Sequence, residues 1–181
     1  MAYPRRHPYT ITPQDGRLDP IPSFGGVRFM LGSDETGGRL AIVEHPVEPK
    51  GASLRHTHSK EDEYTFILEG RIGFQVGDME FTADPGTLVL KPRGIPHAFW
   101  NTTDAPARVL ELIAPGGLEH FFEEMSALMA LGGPPDPAEM GQIQHRYGIS
   151  IEPESSRELA QRHGLRMPGP PAAQVGRNTV S

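Results

Sequence analysis

The 181-residue chain contains no cysteine, which excludes disulfides, thiolate metal sites, iron–sulfur clusters and a cysteine nucleophile. Any metal it holds must sit on imidazole and carboxylate. No apolar run approaches the roughly 20 residues that cross a bilayer, so no membrane partner is expected. Hydrophobic residues make up only 36% of the chain, and the mean hydropathy is −0.42, so long buried helices cannot dominate. Positive charge is short as well: 17 Lys and Arg against 23 Asp and Glu, a formal net charge of −6. The basic residues are scattered and form no stripe that could track a phosphate backbone, so nucleic acid is not an expected partner. Arg5 and Arg6 are followed by HPYTITPQDGRLDP, which lacks the apolar segment of a twin-arginine export signal. The expectation is a soluble, cytoplasmic protein.

What is abundant is turn chemistry. The 21 glycines and 19 prolines suit many short strands joined by tight turns. Residues 1–25 are proline-rich with little periodicity and read as an extended arm, able to lie across the domain or across a partner subunit. From Gly26 the runs GVRFML, RLAIVEH, YTFILEG, RIGFQVG, MEFT, TLVLK and ARVLELI are short, apolar or alternating, and rich in β-branched and aromatic residues. Such runs, regularly punctuated, predict an all-β core over residues 26–115, a sandwich or barrel whose interior can line a cavity. Gly77-Asp78 predicts a two-residue hairpin turn and Glu69-Gly70 a second reversal, so consecutive strands are expected to pair antiparallel. Tyr64 and Phe66 are read as core.

After Pro115 the period changes. Leu118, Phe121, Phe122, Met125, Leu128 and Met129 recur at three- and four-residue steps, predicting a helix with one apolar stripe that ends at Gly132-Gly133-Pro134-Pro135. Its simplest reading is a helix docked on the barrel; its functional reading is a lid over the barrel mouth. A second helix is predicted from Asp136 as N-cap, Pro137 in the first position and Glu139 closing a capping box, with Met140, Ile143 and Tyr147 on one face and Gly148 as stop. A weaker helical stretch runs from about Ser156 to His163. Residues 116–164 thus form a helical extension packed on the barrel, and 165–181 read as a flexible tail.

The chemistry is concentrated in HTHSKEDE, His56 to Glu63, and in His97. His56 and His58 are two apart, so in a strand both imidazoles leave the same face. A second strand must bring Glu63 and a third His97. Three imidazoles and one carboxylate suit a divalent first-row transition metal and are too nitrogen-rich for calcium or magnesium. One such ion per chain is expected, from among Fe, Mn, Ni, Co, Cu and Zn. Four protein ligands on an octahedral ion leave two positions open, which implies chemistry. His97, Phe99 and Asn101 share strand parity, which makes Phe99 a candidate substrate contact and turns Trp100 the other way. Glu61 and Asp62 are read as solvated turn residues. His7, His45, His120, His145 and His163 are read as surface or packing residues.

Residues 51–101 resemble the cupin superfamily, small jelly-roll β-barrels that hold a metal inside the barrel. Its first motif, G-x5-H-x-H-x3-4-E-x6-G, is met by His56, His58, Glu63 and Gly70, with Gly51 one residue closer than the pattern asks. Its second, G-x5-P-x-G-x2-H-x3-N, is met by Gly86, Pro92, Gly94, His97 and Asn101. The segment HAFWNTTDAPARVLELIAPGGLEHFFEEM and the helices after it are similar to single-barrel cupins grouped with bacterial quercetinases, the flavonol 2,4-dioxygenases. That resemblance implies an all-β cupin barrel with a C-terminal helical extension. It also implies a metal held by His56, His58, Glu63 and His97, and a catalytic role for Glu63 in taking the substrate hydroxyl proton. The implied substrates are a flavonol or related enolisable aromatic compound and O2, and family habit implies a homodimer, the N-terminal arm being a candidate for strand exchange. Two other readings remain open: a metal-dependent isomerase, cyclase or lyase using the ion only as a Lewis acid, and a non-catalytic cupin that binds a small ligand.

Overall fold

The computed structural model describes residues 10–12, 15–21, 25–131 and 135–166. The chain opens with β1 (Leu18–Ile21), β2 (Gly25–Leu31), a single helical turn α1 (Ser33–Thr36) and β3 (Ala41–Val47). The central strands are β4 (His56–His58), β5 (Asp62–Glu69), β6 (Ile72–Val76), β7 (Met79–Ala83), β8 (Leu88–Lys91), β9 (His97–Asn101) and β10 (Ala107–Ala114). Helices α2 (Glu119–Ala130) and α3 (Pro137–Tyr147), strand β11 (Ile149–Ile151) and helix α4 (Pro153–His163) follow.

Two antiparallel sheets face each other as a jelly roll, one ordered β1-β2-β3-β10-β5-β8 and the other β11-β4-β9-β6-β7. The all-β core with C-terminal helices is therefore as the sequence predicts. The pairing of consecutive strands is not. It holds for β1–β2, for β2–β3 and for the β6–β7 hairpin, where Gly77-Asp78 joins Val76 to its partner Met79. Every other connection from β3 to β10 crosses to the facing sheet. At Glu69-Gly70 the chain leaves β5 and enters β6 in the opposite sheet, with Gly70 at φ 77°. A Cβ there would come within 2.6 Å of the Ala107 Cβ. Glycine at positive φ permits a sharp reversal whether the next strand folds back or crosses over, so turn chemistry cannot separate the two.

Strand parity sorts the side chains. On β5, Glu63, Thr65 and Ile67 are buried between the sheets, while Tyr64 and Phe66 are only partly covered on the outer face. The reading of Tyr64 and Phe66 as core is corrected on that ground: once Glu63 points inward, a period of two turns both outward. One apolar layer contains Val47, Ile67, Ile72, Phe74, Val89 and Val109; another contains Val27, Ala41, Val43, Ile113 and Leu118. Between Val109 and Ile113 on β10 lies Glu111, and beside Val89 on β8 lies Lys91, both buried. The barrel thus carries a polar layer through its middle.

The second helix starts as the sequence predicts, with Asp136 Oδ1 accepting from Ala138 N at 2.9 Å. That bond falls one residue before the partner a capping box would use. Gly148, at φ 70°, ends the helix. The third helix begins at Pro153, three residues ahead of Ser156, and stops at Gly164 with φ 62°. Strand β11 was not foreseen: three residues after a glycine stop offer too short a period to recognise. It pairs Ile149 with His58 and Ile151 with His56, covering the His-x-His strand. Leu165 packs beside Trp100 and Leu159, and Arg166 N donates to Lys50 O at 2.8 Å. The rest of the predicted tail, 167–181, and most of the N-terminal arm lie outside the described residues; Leu18–Ile21 of that arm forms the edge strand β1.

Candidate metal centre

The structure brings His56, His58, Glu63 and His97 together from three strands, β4, β5 and β9. Their ligand atoms all lie within 4.8 Å of one another. His56 and His97 are cross-strand partners, and their ring centroids are 4.5 Å apart. Gly86 and Gly94 adopt φ of 88° and 76°, the conformations for which the sequence reserves glycine, and they frame the turns around β8 and the approach to His97.

Two of the imidazoles are oriented by backbone. His56 Nδ1 faces Leu54 O at 2.6 Å, and His97 Nδ1 faces Ile95 O at 3.0 Å. A carbonyl only accepts, so each Nδ1 carries the proton and each Nε2 is left with a lone pair. His97 Nε2 then faces Glu63 Oε2 at 3.1 Å, lone pair toward lone pair, an arrangement that a shared cation would relieve. His58 is buried, yet neither ring nitrogen has a hydrogen-bond partner among the described residues; its Nε2 lies 3.5 Å from Glu63 Oε2. Buried polar atoms are almost always satisfied. An orphaned imidazole aimed at a carboxylate and two further Nε2 atoms therefore fits a divalent ion held by these four residues.

Burial lowers the His56 and His97 pKa values, which keeps both rings in the neutral form that binds metal. For Glu63 burial acts in the other direction, but the Lys91 ammonium and the surrounding imidazoles outweigh it and hold the carboxyl well below its ordinary range. Phe99 lines the cavity above the centre. Trp100 faces the other way and packs against His163 of α4, with ring centroids 4.7 Å apart and planes tilted by 30°.

Several site residues escaped sequence reasoning. Lys91 Nζ lies 2.8 Å from Glu63 Oε2 and 3.0 Å from Glu111 Oε2, and Thr65 Oγ1 donates to Glu111 Oε1 at 2.9 Å. Burial pushes the Glu111 carboxyl up to about 7 against the pull of Lys91. The available signal was parity, since Lys91 shares the inward face of β8 with Val89. Glu61, read as a solvated turn residue, is buried and its Oε2 has no hydrogen-bond partner among the described residues. The turn is covered by the end of α3: Ser59 N donates to Gly148 O and Lys60 Nζ to Arg146 O. Asp62 is paired at the surface with Arg93 at 2.9 Å. His45, read as surface or packing, is buried beside Phe99 and Phe122 and lines the same cavity.

The cavity is walled by Ile21, Phe99, Phe121, Phe122, Met125 and Met129, while its polar lining includes His56, His58 and Glu63 with Lys91 and Glu111. The apolar stripe of α2 therefore docks on the barrel through Leu118, Phe121 and Phe122, as its simplest reading predicts, and the same stripe also lines the cavity through Phe121, Phe122, Met125 and Met129.

Residues 44–113 match the cupin domain family. The tetracenomycin polyketide synthase protein TcmJ of Streptomyces glaucescens is 27% identical over 92 residues, which cover 50% of this chain and 62% of that protein; the likeness thus spans less than two thirds of its relative. Among solved structures, a predicted oxalate decarboxylase from Thermotoga maritima superposes with a TM-score of 0.56 at 17% identity, over 59% of this chain and 99% of its own. The polyketide cyclase RemF of Streptomyces resistomycificus gives 0.53 at 22%, over 60% and 80%. KdgF from Halomonas sp. gives 0.55 at 13%, over 63% and 99%. At these identities the structures establish the fold.

Proposed function

We propose that this chain, built around the cupin domain of residues 44–113, is a metal-dependent enzyme acting on an enolisable aromatic substrate of polyketide type. The observation that carries this reading is the polarity of the cavity: aromatic and methionine walls above one compact group of metal-ligating and charged side chains. A flat apolar ring system fits between such walls, with an oxygen substituent turned toward the floor. The similarity to a polyketide synthase protein supports a polyketide-type substrate, for which closing a ring is the reaction we infer.

When bound by His56, His58, Glu63 and His97, a divalent ion supplies Lewis acidity at a substrate oxygen. The chain's own residues do the rest. Phe99, Phe121 and Phe122 keep water from the reacting carbons and hold the rings flat. Leu54 O and Ile95 O fix the His56 and His97 imidazoles. Glu63 takes the proton released as the substrate forms its enolate. The α-carbon of that enolate bonds to a carbonyl carbon of the same molecule, and the carbonyl oxygen takes the proton held by Glu63 to become a hydroxyl; Glu63 then removes the second α-proton, the new carbon–carbon bond becomes double, and the hydroxyl leaves with that proton as water.

A second reading, a quercetinase-like dioxygenase that cleaves a flavonol with O2, draws support from the three-imidazole, one-carboxylate donor set and the His97-to-Met125 segment. The readings separate by metal and gas. For the cyclase, zinc-loaded protein turns over an aromatic polyketide analogue at full rate with no oxygen uptake. Oxygen consumption with a flavonol, in iron-, manganese-, nickel-, cobalt- or copper-loaded protein only, selects the dioxygenase. Binding of either compound without turnover would leave only a ligand-binding cupin. We also propose that the chain acts as a homodimer.

A further inference from the structure

Lys91 is buried on the inward face of β8, with 1% of its surface exposed. An ammonium in such a place costs several kcal/mol of desolvation unless it is paired, and here it is paired twice. The sheet register explains how. Lys91 sits directly across from Glu63 in the β5–β8 pair, and Glu111 directly across from Thr65 in the β5–β10 pair. The four side chains lie side by side on one inner face and form a continuous chain: Thr65 Oγ1 donates to Glu111, Lys91 Nζ donates to Glu111 Oε2 at 3.0 Å, and the same Nζ donates to Glu63 Oε2 at 2.8 Å.

Three of the four ligands then have an outer partner. His56 has Leu54 O, His97 has Ile95 O, and Glu63 has Lys91. The two imidazoles need only one hydrogen bond each, because two χ angles set a ring. Glu63 has a third rotatable bond, and its two oxygens exchange by rotation about it, so an unrestrained carboxylate could offer one oxygen or both. A donor fixed on Oε2 removes that freedom.

We propose that Lys91 is a positioning residue for the metal centre: anchored by Glu111 and Thr65, it clamps Glu63 through Oε2 and fixes how that carboxylate presents itself to the ion. This rests on the reading of His56, His58, Glu63 and His97 as metal ligands. It assigns Glu111 and Thr65 to the same device, although neither belongs to the ligand set. Lys91 acts through Glu63, so its removal alters the coordination of the ion even where no substrate is present.

Cobalt(II) provides the test, since its visible absorption reports ligand number and geometry without turnover. The full chain and its Lys91→Met, Lys91→Arg and Glu111→Gln variants are titrated with Co2+, with spectra recorded and affinity measured against a competing chelator. In Lys91→Met the visible bands shift in position and intensity, and affinity falls by about 10- to 100-fold, the loss typical of a missing outer partner. Lys91→Arg, which keeps a charged donor, recovers most of the parent spectrum. Glu111→Gln shows a smaller shift in the same direction. A folded Lys91→Met protein with the parent's spectrum overturns the proposal, as does one that binds Co2+ more tightly with unchanged bands, since Lys91 would then act only as a charge. If Lys91→Met does not fold, Glu111→Gln decides, and an unchanged spectrum in that variant overturns it. A parent chain that takes up no Co2+ defeats the metal centre itself, a failure distinct from all of these.

Discussion

His45 and His58 are buried histidines beside the same cavity, and the fold satisfies only one of them. His45 Nδ1 donates to Gly26 O at 2.9 Å, and Phe99 and Phe122 pack around the ring. Burial, the largest influence, lowers its pKa to about 4. Between that value and the ordinary 6.5 of an unfolded histidine, the unfolded chain binds more protons than the native one. Stability contributed by neutral His45 is thus fully present above pH 6.5 and lost as pH falls toward 4. The difference is worth roughly 3 kcal/mol. Urea unfolding of metal-free protein should show His45→Gln losing that much less than the parent between pH 7 and pH 4; equal losses would place the acid sensitivity elsewhere. His58 has no such partner among the described residues, as expected of a ring kept for the ion proposed at this site. His58→Ala and His97→Ala should each reduce bound metal from about one ion per chain to a trace, measured by plasma mass spectrometry, with the fold kept as judged by near-ultraviolet circular dichroism.

The strand carrying His56 and His58 is three residues long, and between β9 and β11 it is held from both sides. Gly148 fixes where β11 starts. It sits at φ 70°, its carbonyl accepts from Ser59 N, and a Cβ there would stand 2.2 Å from Ser59 Oγ. Gly148→Ala therefore combines left-handed strain with a steric conflict and should cost about 1–3 kcal/mol. Because β11 covers β4, chelator competition should show metal affinity falling along with the unfolding midpoint. Asp136→Ala removes only the cap of α3, on the far side of the helix from that junction; it should cost about 1 kcal/mol and leave metal affinity at the parent's value. Equal affinities in both variants would show that β11 does not brace the site. Elements of this kind mark the boundary of what the sequence discloses. The four ligands are legible because His-x-His encodes a shared strand face, and because glycines and prolines at set distances encode the turns around it. Lys91, Glu111 and Thr65 lie on three strands that meet only through the sheet order β10-β5-β8, which no local period records. The same limitation hid the crossing at Glu69-Gly70.

At the scale of the whole molecule, the six-stranded sheet shows an apolar outer face. Across the register run Ile42, Leu112, Tyr64 and Leu90 in one row and Leu110, Phe66 and Leu88 in the next. Leu88 and Leu90 are more than half and half exposed, at 58% and 50%. At the border, Arg108 lies 3.7 Å from Glu44 and 3.6 Å from Glu69. A rim with both signs suits a second copy of the same surface, because a two-fold axis sets each charge near its opposite. Burying a leucine contributes about 1.5–3 kcal/mol, against an association cost of roughly 4–15 kcal/mol, so a dimer needs most of the seven apolar side chains and not the two leucines alone. Light scattering of the parent chain should therefore give the mass of two chains, and the double variant Leu88→Glu, Leu90→Glu the mass of one. Leu88 and Leu90 are exposed on the outer face of β8 while Val89 and Lys91 are buried on the inner one, so the double variant should bind Co2+ with the parent's spectrum. A parent that stays monomeric, or a double variant that stays dimeric, removes this face as the contact. A monomeric double variant with an altered cobalt spectrum would instead mean that pairing of the sheets reaches through β8 to the clamp on Glu63.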